Sequence, residues 1–115
     1  MISNCGKGES GYSGQQAGDQ TGQEYWLISW FNCNWNCVLR HPNSKVRSLI
    51  AELATEAAKN DNIGYDQSDR LTFWNYLKNA NYHPGNITVP CEADCSSSTA
   101  AIVKAAGYLS GNALL

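Results

Sequence analysis

Three stretches of the chain carry helical periodicity. Val46, Leu49, Ile50, Leu53, Ala54 and Ala57 fall at i, i+3, i+4, i+7, i+8 and i+11, one apolar stripe on a helix. Asn43 or Ser44 supplies a capping oxygen at its start, and Asn60-Asp61-Asn62 closes it. Leu71, Trp74 and Leu77 repeat every three residues and predict a second helix from Ser68 to about Asn79, stopped by Tyr82-His83-Pro84-Gly85. A third helix is predicted from Ser96 to about Leu109, carrying Ala100, Ile102, Val103, Ala106 and Leu109.

Strand signals are fewer. Tyr25-Trp26-Leu27-Ile28-Ser29-Trp30-Phe31 is aromatic and β-branched, which favours a strand. Asn32-Cys33-Asn34-Trp35-Asn36 reads as a turn and Cys37-Val38-Leu39-Arg40 as the returning strand of a hairpin. Ile87-Thr88-Val89 reads as a short extended piece ended by Pro90. Residues 1–23 hold six of the ten glycines, at Gly6, Gly8, Gly11, Gly14, Gly18 and Gly22, and are expected to be a flexible loop. The order is α+β, mainly helical, with an N-terminal hairpin and little other strand.

A length of 115 residues sets one domain. Hydrophobic residues make up 43%, enough for a core, whereas charged residues are only 16%, below the roughly 25% of an average soluble chain. A net charge of −2 excludes the basic stripe of a nucleic-acid binder. No window approaches the ~18 consecutive apolar residues of a membrane span, and Met1-Ile2-Ser3-Asn4-Cys5-Gly6-Lys7-Gly8-Glu9 has no apolar core of a signal peptide. Synthesis in the cytoplasm is expected. Five cysteines are an odd number, and without a secretory signal reduced thiols are the default.

Cys95 draws the chemistry. In Glu92-Ala93-Asp94-Cys95-Ser96-Ser97-Ser98-Thr99 it stands directly before an apolar helix. Asp94 makes a good N-cap, which puts Cys95 at the first helical position beside unpaired backbone N–H groups. Helix N-termini raise the thiolate fraction of a cysteine, and the same N–H groups receive an oxyanion during acyl transfer. Glu92 and Asp94 oppose a thiolate, but a capping carboxylate is directed at backbone donors. The alternative is a buried structural cysteine at a helix start.

Asp94-Cys95-Ser96-Ser97, followed by a helix of small residues, resembles the nucleophile motif of NlpC-type cysteine peptidases. These are papain-like peptidoglycan hydrolases related to the CHAP amidases. Gly18-Asp19-Gln20-Thr21-Gly22, Trp35-Asn36-Cys37-Val38-Leu39-Arg40-His41-Pro42, Ile63-Gly64-Tyr65-Asp66-Gln67 and Cys91-Glu92-Ala93-Asp94-Cys95-Ser96-Ser97 together resemble the N-terminal part of phage endolysins from gut Firmicutes. The resemblance spans about residues 10–110. It implies a papain-like half-domain over residues 1–115 whose C-terminal sheet is missing, acting on the peptide stem of peptidoglycan. Cys95 would be the nucleophile, with Asp94 and Ser96 holding the polar end of the peptide and Tyr65 lining the site from a loop. No cofactor or metal is implied. Such an enzyme would wait in the cytoplasm and reach the wall after holin-type release.

The sequence departs from that family at the base. A nucleophilic cysteine needs a base within hydrogen-bond reach, which the family places after the cysteine helix, and no His follows Cys95. His41, beside the first helix, is the one candidate base; His83 reads as an exposed turn residue. Self-association, or a second chain completing the fold, is expected if helices lack the sheet they cover. One alternative is a non-catalytic remnant that binds cell-wall peptide or a protein. Another is a zinc-stabilised module, since Cys33, Cys37, Cys91 and Cys95 form two closely spaced pairs; Cys5 would be incidental. Trp26, Trp30 and Trp74 are expected in the core, whereas Trp35 in the turn is the residue to line a glycan groove.

Overall fold

The structure is a computed structural model and describes residues 1–9, 11 and 16–112. The elements run β1 (Ile2–Cys5), β2 (Tyr25–Ile28), α1 (Ser44–Ala58), β3 (Ile63–Tyr65), α2 (Thr72–Asn79), a 3-10 turn (Pro84–Asn86), β4 (Cys91–Ala93) and α3 (Cys95–Ser110). The α+β reading holds. No described helix is long and apolar enough to cross a membrane.

The helices start where their caps allow. Asn43 Oδ1 accepts from the backbone N–H of Lys45 at 2.8 Å and of Val46 at 3.3 Å, satisfying donors that have no partner inside α1. The buried face of α1 is Val46, Leu53 and Ala57, as the periodicity predicts. The start of α2 comes later than expected. Asp66 Oδ1 accepts from the Ser68 N–H at 2.7 Å and hydroxyl at 2.6 Å, a local turn that competes with helix over these residues. Ser98, Ala101, Ile102, Ala105, Ala106 and Gly107 form the buried face of α3, and all but Ile102 are small, which lets α1 and α2 pack closely on it. Gly111 ends the helix with a left-handed φ of 72°, a conformation open to glycine at no steric cost.

The strands differ from expectation. Tyr25–Ile28 pairs antiparallel with Ile2–Cys5 in register Ile2↔Ile28 to Cys5↔Tyr25, so the returning strand lies inside the expected N-terminal loop. Cys37–Arg40 is irregular and exposed. The ladder ends at Ile28, which leaves Ser29–Phe31 no strand beside them. A second sheet, unseen in the sequence, pairs Ile63–Tyr65 parallel with Cys91–Ala93; Ile87–Val89 is not part of it. All six residues of this sheet are buried. The parallel crossover between its strands contains α2, as parallel pairing requires.

Leu53, Ile63, Phe73 and Leu77 form the fully buried centre. Phe73 meets the Tyr25 ring edge-on at 6.3 Å between centroids. Burial of each such side chain contributes roughly 1.5–3 kcal/mol. The result is a platform on which the ends of β3 and β4 present Tyr65 and the β4–α3 junction side by side.

Candidate functional site

Strand β4 runs into α3 through Asp94, and this junction positions Cys95. Asp94 Oδ1 accepts from the Ser97 N–H at 2.7 Å and the Ser96 hydroxyl at 2.9 Å. The Ser97 hydroxyl in turn accepts from the Asp94 N–H at 2.9 Å, closing a reciprocal capping box. Arg70 Nη1 stands 3.3 Å from Asp94 Oδ2. Burial works against ionisation of Asp94, but the hydrogen bonds from Ser97 and Ser96 and the contact with Arg70 outweigh it and hold its carboxyl at about 2. The Asp94 charge is thus committed to the helix terminus and to Arg70.

Cys95 is the first residue of α3 and is exposed. Tyr65 ends strand β3, not a loop, and is buried. Burial first, then the nearby Cys95, Asp94 and Cys5, push its hydroxyl pKa up and disfavour ionisation, while a hydrogen bond with Gln67 opposes them. Tyr65, Asp94, Cys95 and Ser96 therefore share one site. Cys5 lies underneath, its thiol donating to the Ala93 carbonyl at 3.6 Å. Burial pushes the Cys5 thiol far up and the Cys91 thiol up to about 12. Both stay protonated in the core, which separates them from the exposed Cys33, Cys37 and Cys95.

The histidines lie elsewhere. His41 Nδ1 accepts from the Asn43 N–H at 3.1 Å, and its Nε2 is 3.5 Å from Asn112 Nδ2. Asn112 follows the far end of α3, 17 residues from Cys95 and about 25 Å away at 1.5 Å per residue. His41 is therefore not a base for Cys95: its place is at the wrong end of the helix. His83 is half-buried, with Nδ1 3.1 Å from Glu56 Oε1, so it ties the 3-10 turn to α1 and is no free turn residue.

The four-cysteine zinc arrangement is not assembled. Cys91 is buried, Cys33 and Cys37 are in the exposed segment, and among the described residues only Glu52, Glu56 and His83 gather three metal-ligating side chains. That trio is largely accounted for by the structural bonds of Glu56 to His83 and to the Gly85 N–H at 3.0 Å. The aromatic expectations also change. Trp30 is 60% exposed, not in the core, and stacks on Trp35 at 5.5 Å. Trp74 is half-buried in the α2–α3 face.

Sequence reasoning missed a pair of buried acids behind the site. Glu24 and Glu92 are 0% and 1% exposed. Glu24 Oε2 accepts from the Tyr65 N–H and Glu92 Oε1 from the Gly18 N–H, each at 3.0 Å. Their other oxygens, Glu24 Oε1 and Glu92 Oε2, are buried with no hydrogen-bond partner. Burial, then the neighbouring carboxylates, pushes Glu24 up to about 7 and Glu92 up to about 8. Asp19 secures the same loop: its two oxygens accept from the N–H groups of Thr21, Gly22, Glu24 and Tyr25 at 2.7–3.1 Å. The Gly18–Gly22 motif thus acts through backbone bonds, holding Glu24 against β3. A charged residue inside a three-residue strand gives no periodicity by which to find it.

The fold and the site define a small α+β domain that presents an exposed cysteine at a capped helix N-terminus. The chain matches the family model described as "Endolysin-like domain" over residues 2–115, and so belongs to the endolysin-like domain family. That description points to a role in phage lysis of the bacterial cell wall. No curated protein and no solved structure matches the chain.

Proposed function

We propose that the chain is the nucleophile-bearing half of a papain-like peptidoglycan amide hydrolase of the NlpC or CHAP type. The observation that carries this reading is the exposed Cys95 at the first position of a 16-residue helix, with Asp94 committed to its cap and Tyr65 beside it. The Cys95 sulfur attacks a stem-peptide carbonyl carbon, forming a C–S bond as the oxygen takes the negative charge. Backbone N–H groups of the first helical turn stabilise that oxyanion. The C–N bond then breaks, the amine leaves with a proton, and water hydrolyses the thioester. Asp94 and Ser96 orient the polar end of the peptide. The proton that the amine takes is the one the Cys95 thiol gives up, carried by a base that neither His41 nor His83 provides. In this reading the enzyme waits in the cytoplasm and meets the wall after holin-type release.

A second reading, a cell-wall peptide binder without hydrolysis, is favoured by one observation: both histidines are held away from Cys95. An activated acyl donor separates the two, because its leaving group needs no acid. We expect a stem-peptide thioester to leave an acyl adduct on Cys95, read by mass spectrometry, and not on Cys33 or Cys37. Peptide binding with no adduct, or adducts spread evenly over the exposed cysteines, establishes the binder instead.

A further inference from the structure

Between α2 and α3 lies a groove of about 170 Å³ lined by Leu71, Trp74, Ser97, Ala100, Ala101 and Lys104. It starts at Ser97, whose N–H and hydroxyl close the Asp94 cap, and so meets the site at the helix terminus, on the face of α3 turned away from Cys95. Its walls are apolar: Leu71 is 64% exposed, and Ala100 and Ala101 offer only methyl groups. At ~30 Å³ per water, the volume corresponds to about six waters, room for one or two residues with small side chains.

Positive charge is concentrated at the groove. Lys104 Nζ sits 4.9 Å and Lys78 Nζ 5.9 Å from the centroid of the Trp74 ring. Neither ammonium has a carboxylate within ion-pair distance among the described residues. Two unpaired cations over one aromatic ring, in a chain of net charge −2, are the complement of an anion. Tyr82 and Tyr108, stacked at 4.7 Å, back the same ring at 6.2 and 6.4 Å. Asn81 and Tyr82 take left-handed φ values of 53° and 62°, uncommon outside glycine, and this turn delivers the Tyr82 ring to the stack.

We propose that this groove is a subsite for a short peptide arm of small side chains that ends in a carboxylate, with the carboxylate held by Lys104 and Lys78. The occupant is the peptide stem of peptidoglycan, so the inference rests on the cell-wall reading of Cys95. Lys104 is nine residues along α3 from Cys95, about 14 Å of helix. The two are also half a turn apart round the helix, so at least about four extended residues are needed to span from the thiol to the ammonium.

The test uses two probes, acetyl-Ala-Ala-Ala with a free C-terminal carboxylate and the same peptide as its amide. Each is titrated by NMR against the full chain, following the Trp74 indole N–H and the Ala100 and Ala101 amides. The acid is expected to bind about fivefold tighter than the amide, the upper range for an exposed ion pair. Lys104→Gln removes the preference, Lys104→Arg retains it, and the dispersion of the spectrum reports that each variant is folded. Equal affinities for acid and amide, or a preference that survives Lys104→Gln, overturn the inference. Acid-selective binding without a Cys95 acyl adduct therefore keeps the subsite and rejects the hydrolase, while an adduct with equal acid and amide binding does the reverse.

Discussion

Replacing Glu92 with Gln removes an ionisable group that the fold keeps from water on every side. Glu92 Oε1 already accepts from the Gly18 N–H, and Gln retains that acceptor while resembling the protonated acid in size and charge. In the native chain, burial and then the charge of Glu24 push Glu92 up from 4.5 to about 8. A carboxyl raised in the folded state favours folding fully below its unfolded pKa, near 4.3. That advantage is lost as pH rises through about 8, because the unfolded chain releases the proton first. At 1.36 kcal/mol per pKa unit, the loss between pH 5 and pH 9 is on the order of 3–5 kcal/mol, a large part of a ~5–15 kcal/mol total. Urea unfolding followed by circular dichroism at pH 5, 7 and 9 measures it. Glu92→Gln and wild type should lie close together at pH 5, and the variant should be more stable by several kcal/mol at pH 9. Ionisations remote from Glu92 are common to both chains and cancel in the difference, whereas that of Glu24, whose charge Glu92 feels, becomes easier in the variant and adds to it. A difference that is flat with pH, or a wild type more stable at pH 9, refutes the buried-acid reasoning.

Asp94→Ala should cost about 0.5–2 kcal/mol through loss of the cap, and Asp94→Asn, which keeps a capping oxygen, should recover most of it; thermal melts at pH 7 compare them. Because the Asp94 carboxyl is held at about 2, its contribution is present above pH ~4 and lost as pH falls toward 2, so wild type and Asp94→Asn should converge in acid. Gly64→Ala drives a Cβ into the Gly18 carbonyl and to 2.8 Å from Glu24 Oε2. The displaced loop should lower stability by about 1–3 kcal/mol and expose the 18–22 segment to proteolysis; unchanged urea midpoint and cleavage would contradict this packing.

The periodic elements were legible in the sequence, and the non-local ones were not. The stripe through Val46, Leu53 and Ala57 located α1, and the capping signature at Asp94 located both α3 and Cys95. Strand β1 escaped because four residues among glycines carry little pattern and their partner is more than twenty residues away. Strands β3 and β4 escaped because each has three residues, buried on both faces, with Gly64 and Glu92 interrupting the apolar run. Of the site, Asp94, Cys95 and Ser96 are neighbours in sequence, and the parallel pairing of β3 with β4 brings Tyr65 to them. His41 does not join them, because a residue flanking α1 approaches α3 at its C-terminal end, an arrangement that depends on helix packing direction. The Trp30–Trp35 stack followed the same rule: an aromatic run suits a strand, but the ladder stops at Ile28.

The central claim is that Cys95 is the reactive thiol of this chain. Its most direct test is the rate of iodoacetamide alkylation at pH 7, with all five cysteines resolved by mass spectrometry. Cys95 should react several-fold faster than the other exposed cysteines, Cys33 and Cys37, and Cys5 and Cys91 should be protected until unfolding. A Cys95 rate no greater than that of Cys33 would mean that the helix terminus does not activate the thiol, and the nucleophile assignment would fall.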